Sequence, residues 1–145
     1  MKKVILMLLT FATLVSCMTI YSAAEEEYEI TPYYTNVADA SLMFSIQSSG
    51  LAMVGVTYNS IPGMITQVRC EITLQKRFLG IFWTDVDNGM PDNTWVDYTT
   101  DQYGGFYHEL QLSDTGTYRA VFNVYFYGVT GAVDEISDKL EYKYE

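Results

Sequence analysis

Few side chains in this sequence have the type and spacing to do chemistry, and the densest group of them is acidic. Between residues 85 and 97 stand Asp85, Asp87, Asn88, Asp92, Asn93 and Asp97. Carboxylate and amide oxygens are the ligands that a hard cation such as calcium prefers, so Asp85, Asp87, Asp92 and Asp97 are candidate calcium ligands. The spacing departs from an EF-hand loop, because Gly89 falls one position early and no glutamate closes the site. Asn88-Gly89, Pro91 and Asp92-Asn93 are also strong turn formers, and solvated turn carboxylates are the competing reading, which the composition favours. No other cofactor is expected.

Nucleophiles are scarce. His108 is the single histidine, and no Ser or Cys stands in a context that marks a triad with it. Cys70 alternates with apolar residues, the pattern of an inert buried thiol rather than a reactive one. Carboxylates are plentiful, but no pair is framed by a glycosidase signature. The expectation is a protein without enzymatic activity.

Aromatic side chains offer a different chemistry. Thirteen tyrosines, seven phenylalanines and two tryptophans exceed what one small core encloses. Trp95, Tyr98 and Tyr103 flank loops at one end, and Tyr125 and Tyr127 occupy outward strand positions. Flat rings with polar tips beside carboxylates suit sugars, whose C–H faces stack on aromatics while their hydroxyls bond to acids and amides. Trp95, Tyr98 and Tyr103 are therefore the candidate ligand-binding residues, and carbohydrate the candidate ligand. The competing reading is that tyrosines cover sheet faces, as strand propensity favours.

The elements that must position these groups are strands. Leu42, Phe44 and Ile46 alternate with polar or exposed positions, and Ser48-Ser49-Gly50 turns the chain into Leu51–Tyr58, with Ala52, Val54, Val56 and Tyr58 inward. Val68, Cys70, Ile72 and Leu74 alternate with Arg69, Glu71, Thr73 and Gln75, which fixes one face to the core. Shorter runs follow at Ile81–Val86 and Phe106–Leu112, with Trp95–Tyr98 as a short segment between loops. The longest strand is expected at Tyr118–Tyr127, with Tyr118, Ala120, Phe122, Val124 and Phe126 on one side, and the last at Ile136–Tyr144. Seven closely spaced strands without a helical period predict an antiparallel β-sandwich, in which the Val68–Ile72 and Tyr118–Phe122 rows face each other.

The chain opens with Lys2 and Lys3, then Val4–Val15 without a charge, then Ser22, Ala23 and Ala24. That order is a signal peptide over residues 1–24, and Ser16-Cys17 breaks the apolar run short of the roughly 20 residues a membrane span needs. Cleavage after Ala24 is favoured. Leu14-Val15-Ser16-Cys17 also has the form of a lipoprotein box, which would make Cys17 a membrane anchor. Secretion, or tethering through Cys17, follows. Residues 25–38 read as an extended leader and 39–145 as the domain. Losing Lys2 and Lys3 takes the formal net charge from −10 to −12, which excludes nucleic acid and argues against electrostatic membrane docking.

Asp114-Thr115-Gly116-Thr117-Tyr118, just before the longest strand, has the form of the tyrosine corner of immunoglobulin-like sandwiches. Ala120 stands where antibody domains carry a cysteine, and Cys70 lies in the strand expected to carry their tryptophan. The architecture is therefore immunoglobulin-like, outside the antibody branch. The mature chain resembles a family of short exported proteins of clostridial-type Gram-positive bacteria with one small sandwich domain of uncharacterised function. The resembling segments are Glu29-Ile30-Thr31-Pro32-Tyr33-Tyr34, Leu42–Gly50, Ile72-Thr73-Leu74-Gln75-Lys76, Trp83 and Gly116-Thr117-Tyr118-Arg119. The resemblance implies the sandwich fold and no catalytic residues. The expected role is a secreted or cell-surface binding module, the alternative a structural or adhesive subunit acting through protein–protein contacts.

Overall fold

The computed structural model describes residues 34–145. The segment expected to be a signal peptide, its expected cleavage site and Cys17 lie outside the described residues. Among the described residues eight strands form two antiparallel sheets. The smaller contains β1 (Val37–Ile46), β2 (Leu51–Ser60) and β6 (Tyr103–Gln111) in the order β1-β2-β6. The larger contains β3 (Ile65–Phe78), β4 (Phe82–Asp85), β5 (Thr94–Thr99), β7 (Gly116–Gly128) and β8 (Val133–Tyr144). Its order is β4-β3-β7-β8, with β5 also paired to β3. No helix among the described residues is long and apolar enough to cross a membrane.

The strand count is eight rather than the expected seven, because Trp95–Tyr98 belongs to a full strand. β5 pairs with Val68–Thr73 of β3, and β4 with Gln75–Phe78 of the same edge. The two thus share one strand position, interrupted by a loop through Pro91, which has no N–H to donate, and through Asp92 and Asn93, both at positive φ.

Period-two alternation places the core as expected. Ala52, Val54, Val56 and Tyr58 of the smaller sheet are buried, as are Val68, Cys70, Ile72 and Leu74 of β3. Tyr118, Ala120, Phe122, Val124 and Phe126 complete the buried row of β7. The β3 and β7 rows do not face each other across the sandwich, however. They are neighbours in one sheet, Ile72 opposite Phe122 and Cys70 opposite Val124, and the layer facing them is β1-β2-β6. Tyr58 meets Phe126 edge-on across the layers, with ring centroids 5.5 Å apart. β3, with 14 residues, exceeds the 13 of β7 as the longest strand.

The domain also begins earlier than residue 39. Asn36 and Val37 are buried, and Asn36 Nδ2 donates to the carbonyls of Phe126 and Ala132 at 3.2 and 3.1 Å. A Cβ on Gly128 would collide with Asn36 Oδ1 and crowd the Ala132 carbonyl, so the β7–β8 turn admits Asn36 only because residue 128 is glycine.

Tyr118 behaves as the corner motif predicts, its hydroxyl donating to the Asp114 carbonyl at 2.7 Å. Tyr118→Phe is expected to cost about 1 kcal/mol, seen as a lower urea midpoint at unchanged slope.

Candidate functional site

Strand parity sorts the sequence-predicted ligand residues onto different surfaces. Within one strand, residues an odd number apart point to opposite faces. Trp95 lies opposite Ile72, whose side chain is in the core, and is 6% exposed; Tyr98 lies opposite Arg69 and is 57% exposed. Trp95 therefore cannot serve as a stacking surface for a ligand. Tyr103 is 76% exposed but belongs to the smaller sheet, opposite Asn59, and does not share the strand row of Tyr98.

What gathers around Tyr98 is a row that crosses the solvent face of the larger sheet. Register places Tyr98, Arg69, Tyr125 and Glu135 side by side on β5, β3, β7 and β8. The Arg69 guanidinium stands 5.9 Å from the ring centroids of both Tyr98 and Tyr125. Tyr127 lies beside Tyr125 with centroids 6.5 Å apart, and Glu71 forms an ion pair with Arg69. Burial works against the Arg69 charge, but Glu71 and then the Tyr127 hydroxyl outweigh it and raise its pKa above the ordinary value. Burial, then Glu135 and Glu71, push the Tyr125 phenol up, so it stays a neutral donor. Arg69 Nε is enclosed and has no hydrogen-bond acceptor among the described residues.

A groove of about 500 Å³ opens beside this row. Arg69, Glu71 and Val96 form its floor, and the turn carrying Met90, Pro91 and Asp92 forms its wall. That turn is held by Asn93 N–H donating to the Met90 carbonyl and by the Thr94 hydroxyl donating to the Asp92 carbonyl. The volume lies within the roughly 300–1,000 Å³ of small-molecule sites.

The four candidate calcium ligands do not converge. Asp85 accepts from Gln75 Nε2, Asp87 closes a local turn by accepting from Gly89 N–H, Asp97 turns inward to His108, and Asp92 lines the groove. Among the described residues no three Asp, Glu, His or Cys side chains group as metal ligands. The reason is again parity and distance along the chain, since these acids sit on β4, a loop and β5 with different facings.

His108, which has no triad context in the sequence, organises one seam of the sandwich. Its ring stacks on Trp95 at 5.0 Å with planes 4° apart, and Nε2 lies 2.6 Å from Asp97 Oδ2. The pair bridges β5 and β6, where the two sheets' edges meet. On the opposite seam Phe44 meets Tyr142 edge-on. Cys70 is adjacent to Asp97 in register, but burial, then Asp97 and Glu71, push its thiol up to about 12, so it stays protonated. Trp95, Asp97 and His108 carry no joint sequence signature; only the packing of the two sheets brings His108 to the other two.

Fold and site together define a two-sheet β-sandwich with a solvent-facing aromatic and arginine row beside a shallow groove. The chain matches no protein-family model and no curated protein.

Proposed function

We propose that the chain is an exported, non-enzymatic binding module of immunoglobulin-like form that holds a carbohydrate on the outer face of its larger sheet. The observation that carries this reading is the Tyr98–Arg69–Tyr125 row with its neighbouring groove. Two rings present flat apolar faces for sugar C–H groups, Arg69 supplies donors, and Glu71 and Asp92 supply acceptors for hydroxyls. The immunoglobulin-like form is supported by the Tyr118 corner and by a three-position sheet packed on a four-position one. The adhesive alternative has less support, because the edge strand β8 carries Lys139, Glu141 and Lys143, which discourage strand addition.

A glycan array with the purified chain, followed by titration of the best ligand, tests the reading. Tyr98→Ala and Arg69→Met are each expected to weaken binding about fivefold or more with little change in Tm, since both side chains lie on the solvent face. An empty array, or binding that both variants leave intact, would overturn it.

A further inference from the structure

The β3–β4 hairpin ends in an apolar tip that neither the core nor the groove uses. Phe78, Leu79, Ile81 and Phe82 are 57, 73, 72 and 59% exposed. Four large apolar side chains in five residues are a patch rather than scatter, and such patches mark interaction sites. The turn itself adds a second sign. Leu79 and Gly80 have φ of 51° and 71°, and Ile81 N–H donates to the Phe78 carbonyl at 3.1 Å, so both central residues are left-handed. Such a turn favours Asn-Gly or Asp-Gly, and a leucine there is strained. It gains no interior contact in return. Strain kept at an exposed position points to a use for that side chain.

The base of the hairpin gathers basic side chains in an otherwise acidic chain, with Asp85, Asp114 and Glu141 beside them. Of the six basic residues beyond Lys3, Lys76, Arg77 and Arg119 cluster here. Trp83 lies between the two arginines, with their guanidinium carbons 5.8 and 4.2 Å from its ring centroid. Lys76 pairs with Asp114 at 3.3 Å. Glu141 faces Arg119 in register and Asp85 is held by Gln75, yet among the described residues neither Arg77 nor Arg119 is in an ion pair.

We propose that the β3–β4 hairpin inserts its tip into the interface of an anionic lipid bilayer. Phe78, Leu79, Ile81 and Phe82 would enter among the acyl-chain ends, while Trp83, Arg77 and Arg119 stand at headgroup level, where Trp and Arg are favoured. Acids more than about 8 Å away are screened at physiological ionic strength, and of the nearer ones Asp114 pairs with Lys76 and Asp85 is held by Gln75. Lipid fits better than a protein partner. The tip is a two-residue hairpin turn, and its four side chains offer less than the roughly 800 Å² per partner that a stable protein interface buries.

Trp83 provides the probe, because Trp95 is buried. The full chain is mixed with vesicles of phosphatidylcholine and phosphatidylglycerol in equal parts, with brominated acyl chains as quencher. Trp83 emission should shift to the blue and be quenched, and both changes should vanish in Trp83→Phe. The double variant Leu79→Asn, Ile81→Ser should lose the quenching and weaken the tip's partitioning about tenfold or more, at undiminished Tm. Quenching reports the tip whatever else of the chain meets lipid, and sugar binding in the groove should be unaffected. Quenching that survives the double variant, equal quenching by phosphatidylcholine alone, or none at all would overturn the proposal. Loss of self-association in the double variant without lipid quenching in the parent would assign the tip to a second copy instead.

Discussion

Asp134→Ala is expected to destabilise the domain by about 3–5 kcal/mol. Asp134 is the second residue of β8 and is buried, and its carboxylate gathers three successive backbone N–H groups ahead of and at the start of β1. Oδ1 accepts from Thr35 at 3.1 Å, and Oδ2 accepts from Asn36 at 2.6 Å and Val37 at 3.1 Å. These bonds offset the cost of burying a carboxylate that has no ion-pair partner among the described residues. Removing it orphans two buried donors and loosens Asn36, whose amide ties the same segment to Phe126 and Ala132. Asp134→Asn keeps one accepting oxygen but turns an NH2 toward N–H donors, so its loss should be intermediate. Urea unfolding measures both. A loss below about 1 kcal/mol for the alanine variant would mean that the N–H groups find water and that this strap is peripheral.

Cys70 in the native domain should react with thiol reagents about a thousandfold more slowly at pH 8 than in the unfolded chain. Its thiol is fully buried and its pKa pushed from 9.0 up to about 12, by burial first and then by Asp97 and Glu71. At pH 8 those values leave roughly a tenth of the thiol ionised when unfolded and about a ten-thousandth when folded. The same difference makes stability depend on pH. Above pH 9 the unfolded chain releases the Cys70 proton while the folded one keeps it until about 12. Stability should therefore be insensitive to this group below pH 9 and fall above it by about 1.4 kcal/mol per pH unit. Tyr34, Tyr58 and Tyr125, also raised by burial, add to the fall above pH 10. Cys70→Ala should flatten the slope between pH 9 and 10. Rapid labelling of the native thiol would place Cys70 outside the core and shift the β3 register by one residue.

The core rows of β2, β3 and β7 were legible because a half-buried strand writes its facing into every second residue. Those rows hold residue for residue, from Ala52 to Tyr58, Val68 to Leu74 and Tyr118 to Phe126. The tyrosine corner was legible for a similar reason, since Asp114 and Tyr118 interact within a few residues. Parity was also available for Trp95 and Tyr98, and it forbids them a common face once Trp95–Tyr98 is recognised as a strand. Six residues between turn clusters were too short to show that alternation, which is how β5 escaped the strand count.

Alternation by itself thus determined an all-β chain, its turns, and which side of each long strand meets the core, because those properties depend on neighbours along the sequence. Which strands lie side by side was decided only by the tertiary structure. β3 beside β7 and β5 turns Arg69, an ordinary outward residue in the sequence, into the centre of a row with Tyr98 and Tyr125. β5 across from β6 brings His108 to Trp95 and Asp97, and β8 returning past the start of β1 brings Asp134 to Asn36, 98 residues away. A side chain's local sequence encodes its facing but not its partner, because pairing depends on the packing energy of whole sheets rather than on any one strand.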